Sequence, residues 1–257
     1  MNSQFNRLSV NKRKTVLLRG IKKAVHMFDL IEKGDHILLA ISGGKDSLVM
    51  LEMLADNSPW WVPHIKLDAA HVALGFPGED ERIERILEFS KQRGFDINIV
   101  KRPEISEIAF GDNTKQNPCF ICSRMRRKAL LETVEKIGAN KIALGHHRED
   151  VLETFLINIF FGREIAAMKP NQELFGGKYH LIRPMYLLRE SQIRSLSIEL
   201  NYPEITQNCP VAGATKREYI KKLINQLERE NPGLKANLFR SLFHPKTDYL
   251  LGMYRKK

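Results

Sequence analysis

The chain holds three cysteines, Cys119, Cys122 and Cys209, and two of them fall in one short run, CFICSRMRRK from Cys119 to Lys128. Four chemistries fit such a set. A structural zinc ion takes four ligands, which the three thiols and a histidine such as His146 would supply. A redox or persulfide relay needs a thiol at a helix start beside positive charge, and Cys122 has Arg124 and Arg126 nearby. An iron–sulfur cluster is normally held by four thiolates, so three would leave one iron open to an external ligand. Three unconnected buried thiols is the plainest alternative. The CxxC spacing alone does not choose among them.

A second group of reactive residues is ISGGKDS, Ile41 to Ser47. An apolar run precedes it and a helical pattern follows, an order that suits phosphate. Gly43 and Gly44 let backbone N–H groups approach the anion, and the helix dipole favours negative charge. Ser42 and Ser47 add hydroxyls, and Lys45 a cation. A Walker loop has two glycines five apart before its lysine, so this turn is of another kind. Asp46 beside a polyphosphate requires a divalent cation between the two anions, and Mg²⁺ is the natural one. A third stretch, GHHRED from Gly145 to Asp150, follows another apolar run and falls at the same expected sheet edge. Gly145 and His146 would line the nucleotide there. His146 and Asp150 are four apart, so they share a face if the helix has begun. An ordinary helix cap with solvated histidines is the alternative, and the nearby phosphate loop weighs against it.

These groups need elements to position them. HILLAI (His36–Ile41), Lys66–Val72, Ile97–Lys101 and KIAL (Lys141–Leu144) read as short buried strands. Helical patterns alternate with them: Val10 to Lys33 stopped by Gly34, SLVMLEMLA after the loop, Asp80 to Arg93, Cys122 to Ile137 and Glu149 to Phe161. This predicts an α/β fold, a doubly wound parallel sheet with ligands beyond the carboxyl ends of its strands. Residues 1–33 form an N-terminal basic helical segment and 34–165 the nucleotide-binding domain. Residues 166–257 form a mainly helical extension, with loops at Gly176, Gly177 and Pro184, then helices near Glu190–Leu200, Thr215–Glu228 and Lys235–Leu242.

The 257 residues carry 41 basic and 30 acidic side chains, a net charge of +11 that favours a polyanionic partner. No acidic residue precedes Asp29, whereas Arg7, Lys12, Arg13, Lys14, Arg19, Lys22 and Lys23 do. Arg124, Arg126, Arg127 and Lys128 form a second basic group, and Arg255, Lys256 and Lys257 a third. Nucleic acid is favoured over a membrane surface, because the first helix has few large apolar anchors among its charges. No apolar run approaches a membrane span, and no signal peptide is evident. A cytosolic, reducing location is expected, where cysteines serve metal or redox chemistry before disulfides.

Taken together, these motifs carry a resemblance. SGGKDS matches the pyrophosphatase loop of the ATP pyrophosphatase (PP-loop) superfamily, which splits ATP into AMP and pyrophosphate. SGGKDS, CFICSRMRRKAL, KIALGHHRED and a distal cysteine before a basic helical tail closely resemble the tRNA 2-thiocytidine synthetase family, over nearly the whole chain. The resemblance implies a [4Fe-4S] cluster on Cys119, Cys122 and Cys209, with ATP and Mg²⁺ on the loop. It also implies sulfur from a cysteine desulfurase or another donor, transfer to C2 of an anticodon-loop cytidine of tRNA, and a homodimer. Lys45 and Asp46 become the catalytic pair, and Arg124, Arg126, Arg127 and Lys128 the contacts to the tRNA backbone. Ala212 stands where many relatives carry a fourth cysteine, and Glu149 where they often have Asp. A uridine thiolase, a small-molecule adenylating ligase and a non-catalytic nucleotide sensor are the rivals. Relatives of the first usually carry extra CxxC pairs that this chain lacks, and the second leaves the charge and the CxxC unexplained.

Overall fold

In the computed structural model the described residues are 5–55, 64–111, 117–203, 208–213 and 215–250. The basic tail at Arg255–Lys257 lies outside them. The chain divides into two compact units, Met1–His147 with Lys169–Ala212 and Arg148–Met168 with Gly213–Lys257.

The first unit is built on a six-stranded sheet. Its strands are β1 (His36–Ala40), β2 (Lys66–Ala73), β3 (Ile97–Lys101), β4 (Lys141–Leu144), β5 (Asn171–Leu174) and β6 (Tyr179–Ile182), in the spatial order β3-β2-β1-β4-β6-β5. All neighbours are parallel except the β5–β6 hairpin. Alternation along each strand divides the core in two, because successive side chains point to opposite faces. Ile37, Leu39, Ala143 and Ile182 enter one apolar cluster; Leu38, Ile142 and Leu181 enter the other. Helices cover both faces, as parallel strands require. Leu17, Ile21, Ala24 and Val25 of α1 (Val10–Phe28) and much of α2 (Lys45–Ala55) bury against the first cluster. Ala129, Leu130 and Val134 of α5 (Pro118–Ile137) bury against the second. Helix α3 (Glu79–Gln92) packs against β3, α4 (Glu104–Phe110) against α5, and α7 (Glu190–Glu199) beside α1 and α2.

Three local differences from the sequence reading have physical causes. Helix α1 stops at Phe28 rather than near Gly34, because Asp29 turns left-handed (φ +49°) and its N–H closes on Val25 O. Helix α5 begins four residues earlier than Cys122. Asn117 caps it by accepting the Cys119 N–H at 2.9 Å, and Pro118 occupies the first turn, where its missing N–H is harmless. Asn171–Ile182, read as part of a mainly helical extension, instead supplies β5 and β6. Their turn is made at Phe175, Gly176 and Gly177, all at positive φ.

The second unit contains α6 (Arg148–Ile157), a π-helical turn at Asn158–Gly162, α8 (Lys216–Glu230) and α9 (Leu234–Ser241). Arg217 of α8 clamps α6 through Asp150 (3.3 Å), Glu153 (3.1 Å) and Thr154 (3.3 Å). Burial pushes the Glu153 carboxyl above its ordinary value, and the Arg217 guanidinium opposes that shift.

Candidate active site at the carboxyl edge of the sheet

The turn between β1 and α2 is closed by its own hydroxyls. Ser47 Oγ donates to Gly44 O at 2.9 Å and accepts the Ser42 N–H at 3.1 Å. Ser42 Oγ lies 3.1 Å from Ser47 Oγ and accepts the Gly44 N–H at 3.3 Å. Gly43 sits at φ +83°, a conformation that a side chain would strain. Helix α2 starts immediately after, at Lys45, so its first N–H groups and positive dipole end face the turn. Lys45 Nζ lies 3.0 Å from the Asp46 carboxylate and 3.3 Å from Glu190 of α7. Both side chains of the Lys45–Asp46 pair are about 30% exposed, so a ligand can reach and separate them.

Gly145 sets the distance between this turn and β4. A Cβ there would stand 3.1 Å from Ser47 Cα and N and 3.2 Å from the Asp46 carbonyl carbon, all backbone atoms. Only glycine permits that approach without moving the loop. The segment places His147 beside the Lys45–Asp46 pair: His147 is 4% exposed and its Nε2 lies 3.7 Å from Asp46 Oδ1. Helix α6 begins at Arg148, so His146 stands in the connecting segment and shares no helical face with Asp150. Asp150 belongs to the second unit, where it meets Arg217.

A buried chain of polar groups supports the loop from β2 and α3. His71 is 1% exposed, with Nδ1 2.8 Å from Ile41 O and Nε2 3.3 Å from Glu79 Oε1. Glu79 accepts the Leu74 N–H at 3.0 Å and an Arg82 N–H at 3.1 Å. Arg82 Nη2 then donates to Ser42 O, tying the chain to the phosphate turn. Burial pushes the Glu79 carboxyl up, but the hydrogen bonds from His71 and Leu74 and the Arg82 charge outweigh it and hold the group below its ordinary value. Burial lowers the Arg82 guanidinium from its ordinary value; Glu79 opposes this, and the nearby Arg126 charge adds to it.

Arg126 leads to the cysteines. Cys119, Cys122 and Arg126 fall at i, i+3 and i+7 on α5 and so share one face. Arg126 Nη2 lies 3.8 Å from Cys122 Sγ. Because α5 feeds the parallel strand β4, its N-terminus stands at the carboxyl edge of the sheet, the edge that carries the loop. Cys209 arrives at the same edge from the segment after α7, where Asn208 Nδ2 donates to Pro77 O at 3.0 Å. All three thiols are free, with Cys119 exposed and the others half-buried. Burial raises the Cys119 thiol, and Cys209 and Cys122 raise it further, so the three sulfurs lie within electrostatic reach of one another. A relay thiol is activated by the opposite shift. Among the described residues no set of three His, Cys, Asp or Glu side chains is arranged around a single ion position. In kind, three free thiols suit an iron–sulfur group, whose ligands attach to separate irons rather than to one centre. Arg124, Arg127 and Lys128 are exposed on α5, whereas Arg126 is half-buried.

Comparison with known proteins places this geometry. A model of the PP-loop domain family ATP_bind_3 matches residues 14–224. A tRNA-cytidine(32) 2-sulfurtransferase of Geobacter sulfurreducens is 34% identical over 245 residues, covering 95% of each chain. Another, from Methylobacillus flagellatus, is 34% identical over 242 residues, 93% of this chain and 78% of its own. The chain belongs to the PP-loop family of tRNA-cytidine 2-sulfurtransferases. It is therefore a transferase built on an ATP-binding PP-loop domain. Among solved structures, the U34-tRNA thiolase NcsA from Methanococcus maripaludis, with its [4Fe-4S] cluster, shares the fold at TM-score 0.71 and 22% identity, over 87% of this chain and 76% of that one. An NH3-dependent NAD synthetase from Campylobacter jejuni shares it at TM-score 0.50 and 13% identity, over 97% and 98%.

His147, Glu190, Arg82 and Glu79 are the site-edge residues the sequence reading did not single out. His147 was next to a chosen residue, and only the helix start distinguishes it from His146. Glu190 and Glu79 lie 145 and 8 positions from their partners Lys45 and His71, and no motif connects them.

Proposed function

We propose that the chain converts a cytidine of the tRNA anticodon loop, the one corresponding to position 32 in its relatives' names, into 2-thiocytidine at the cost of ATP. The supporting observation is the meeting, on one unit and one sheet edge, of a phosphate turn with three free thiols in electrostatic reach of each other. Ser42, Gly43, Gly44 and Ser47 would cradle the phosphates, with Gly145 keeping that cradle against β4 and His146 alongside the nucleotide. Lys45, leaving Asp46 and Glu190, would neutralise the phosphate charge, and Asp46 would hold Mg²⁺. The C2 oxygen of the base attacks the α-phosphorus, pyrophosphate departs, and the oxygen becomes part of an AMP leaving group. A sulfur nucleophile then forms the C2–S bond while the C2–O bond breaks and AMP leaves.

Cys119, Cys122 and Cys209 would hold the [4Fe-4S] cluster. When bound, such a group neutralises the three thiolates that otherwise repel, and keeps one iron open for a sulfur ligand. Arg124, Arg127 and Lys128, exposed on the helix of the CxxC, would hold tRNA phosphates. A cysteine desulfurase or another donor supplies the sulfur, and the reaction runs in the cytoplasm, with the chain acting as a homodimer. No helix among the described residues is long and apolar enough to cross a membrane.

Iron and acid-labile sulfide on protein purified without oxygen test the cysteine assignment. About four of each per chain are expected, falling to background in Cys209→Ala with the secondary structure retained. Unchanged iron in that variant would remove Cys209 from the site.

A further inference from the structure

The second unit exposes an aromatic surface that the reaction above does not use. The π-helical turn after α6 leaves Phe160 52% and Phe161 44% exposed, and Ile165 beyond it is 70% exposed. Single-turn π segments are costly in a helix and are kept mostly where they place side chains for function. The two rings meet edge to face, with centroids 6.5 Å apart and planes at 81°. Helix α8 brings the complement. Lys216, Tyr219 and Lys222 recur every three residues and are exposed on it, while Ile220 and Ile224 bury. Lys216 Nζ stands 4.7 Å from the Phe161 ring centroid, which joins the two strips into one surface of rings interleaved with cations. The clamp from Arg217 to Asp150, Glu153 and Thr154 fixes α8 against α6 beneath it.

From this surface we infer a stacking platform for unpaired bases of the RNA substrate, in which Phe160, Phe161 and Tyr219 take base faces and Lys216 and Lys222 the adjoining phosphates. The inference rests on the reading that the substrate is tRNA. Rings with neighbouring cations are the recurring solution for single-stranded nucleic acid, since every base offers a π-face and every linkage a negative charge. A second copy of the chain is a poorer occupant. A two-fold contact sets a patch against its own copy, so a patch carrying Lys216 and Lys222 would meet another of the same net sign.

The test is tRNA binding by Phe160→Ala/Phe161→Ala, with an unmodified tRNA transcript as probe over a range of salt concentrations. Affinity should fall about ten-fold or more, as loss of base stacking does. The slope of log K against log salt should stay as in the wild type, because no phosphate contact is removed. ATP affinity should not change, and Phe160→Tyr/Phe161→Tyr should restore binding. Retained tRNA affinity in the alanine variant would overturn the platform. So would a loss of oligomer mass in that variant, which would make the surface a self-association site. A wild-type chain that binds no tRNA would overturn the functional reading as well, whereas normal wild-type binding with an indifferent variant overturns the platform alone.

Discussion

Arg126 is set apart from its basic neighbours on α5 by burial and by the sulfur it meets. Arg124, Arg127 and Lys128 are exposed on α5, but Arg126 turns along the cysteine face, 3.8 Å from Cys122 Sγ and close enough to Arg82 to act on its charge. A half-buried guanidinium directed at a sulfur is poorly placed for an RNA phosphate. Neutralising Arg124 or Arg127 should therefore flatten the salt dependence of tRNA binding by about one unit of slope each, whereas Arg126→Gln should leave it unchanged. Equal flattening in all three variants would return Arg126 to the phosphate-binding face. Cys119 illustrates the complementary point. Burial, and then the neighbouring Cys209 and Cys122, push the Cys119 thiol above its ordinary value, so its ionised form needs a positive group beside it, as iron would be.

Among the elements, the connections at the carboxyl edge do the positioning. The turn after β1 is held from below by Arg82 and laterally by Gly145, and the His71–Glu79–Arg82 chain links it to β2 and α3. The Glu79 carboxyl lies below its ordinary value in the folded chain, so its stabilising contribution is full above about pH 4.5 and is lost as pH falls through the lowered value. Glu79→Gln should reduce stability by about 2 kcal/mol at neutral pH, the loss of hydrogen bonds to charged groups. The variant should also lose less melting temperature than the wild type between about pH 5 and pH 3. Parallel acid limbs in the two proteins would refute this role. Much of this edge was legible in the sequence: four parallel strands stood out as short apolar runs, and SGGKDS declared its turn through its glycines and hydroxyls. The β5–β6 hairpin did not, since NQEL is polar and half-exposed at the sheet margin. The start of α5 was hidden because Asn117-Pro118 interrupts no apolar period; it is visible only as capping chemistry. His147 and Glu190 escaped for a different reason, namely that their partners come from other elements.

For the whole molecule, the charge of +11 and the division into two units belong together. One unit carries the phosphate turn and the thiols; the other carries exposed rings and lysines on a clamped helical pair. A small-molecule ligase would need neither the basic excess nor the aromatic strip. The central claim is that ATP cleavage on this chain ends in sulfur at C2 of a tRNA cytidine. The most direct measurement is nucleoside mass spectrometry of tRNA incubated with iron-loaded protein, ATP, Mg²⁺ and sulfide, with Asp46→Ala run in parallel. The account predicts 2-thiocytidine formed with AMP and pyrophosphate, and none of the three products from Asp46→Ala. Sulfur found on uridine instead, or AMP released while every cytidine stays unmodified, would contradict it.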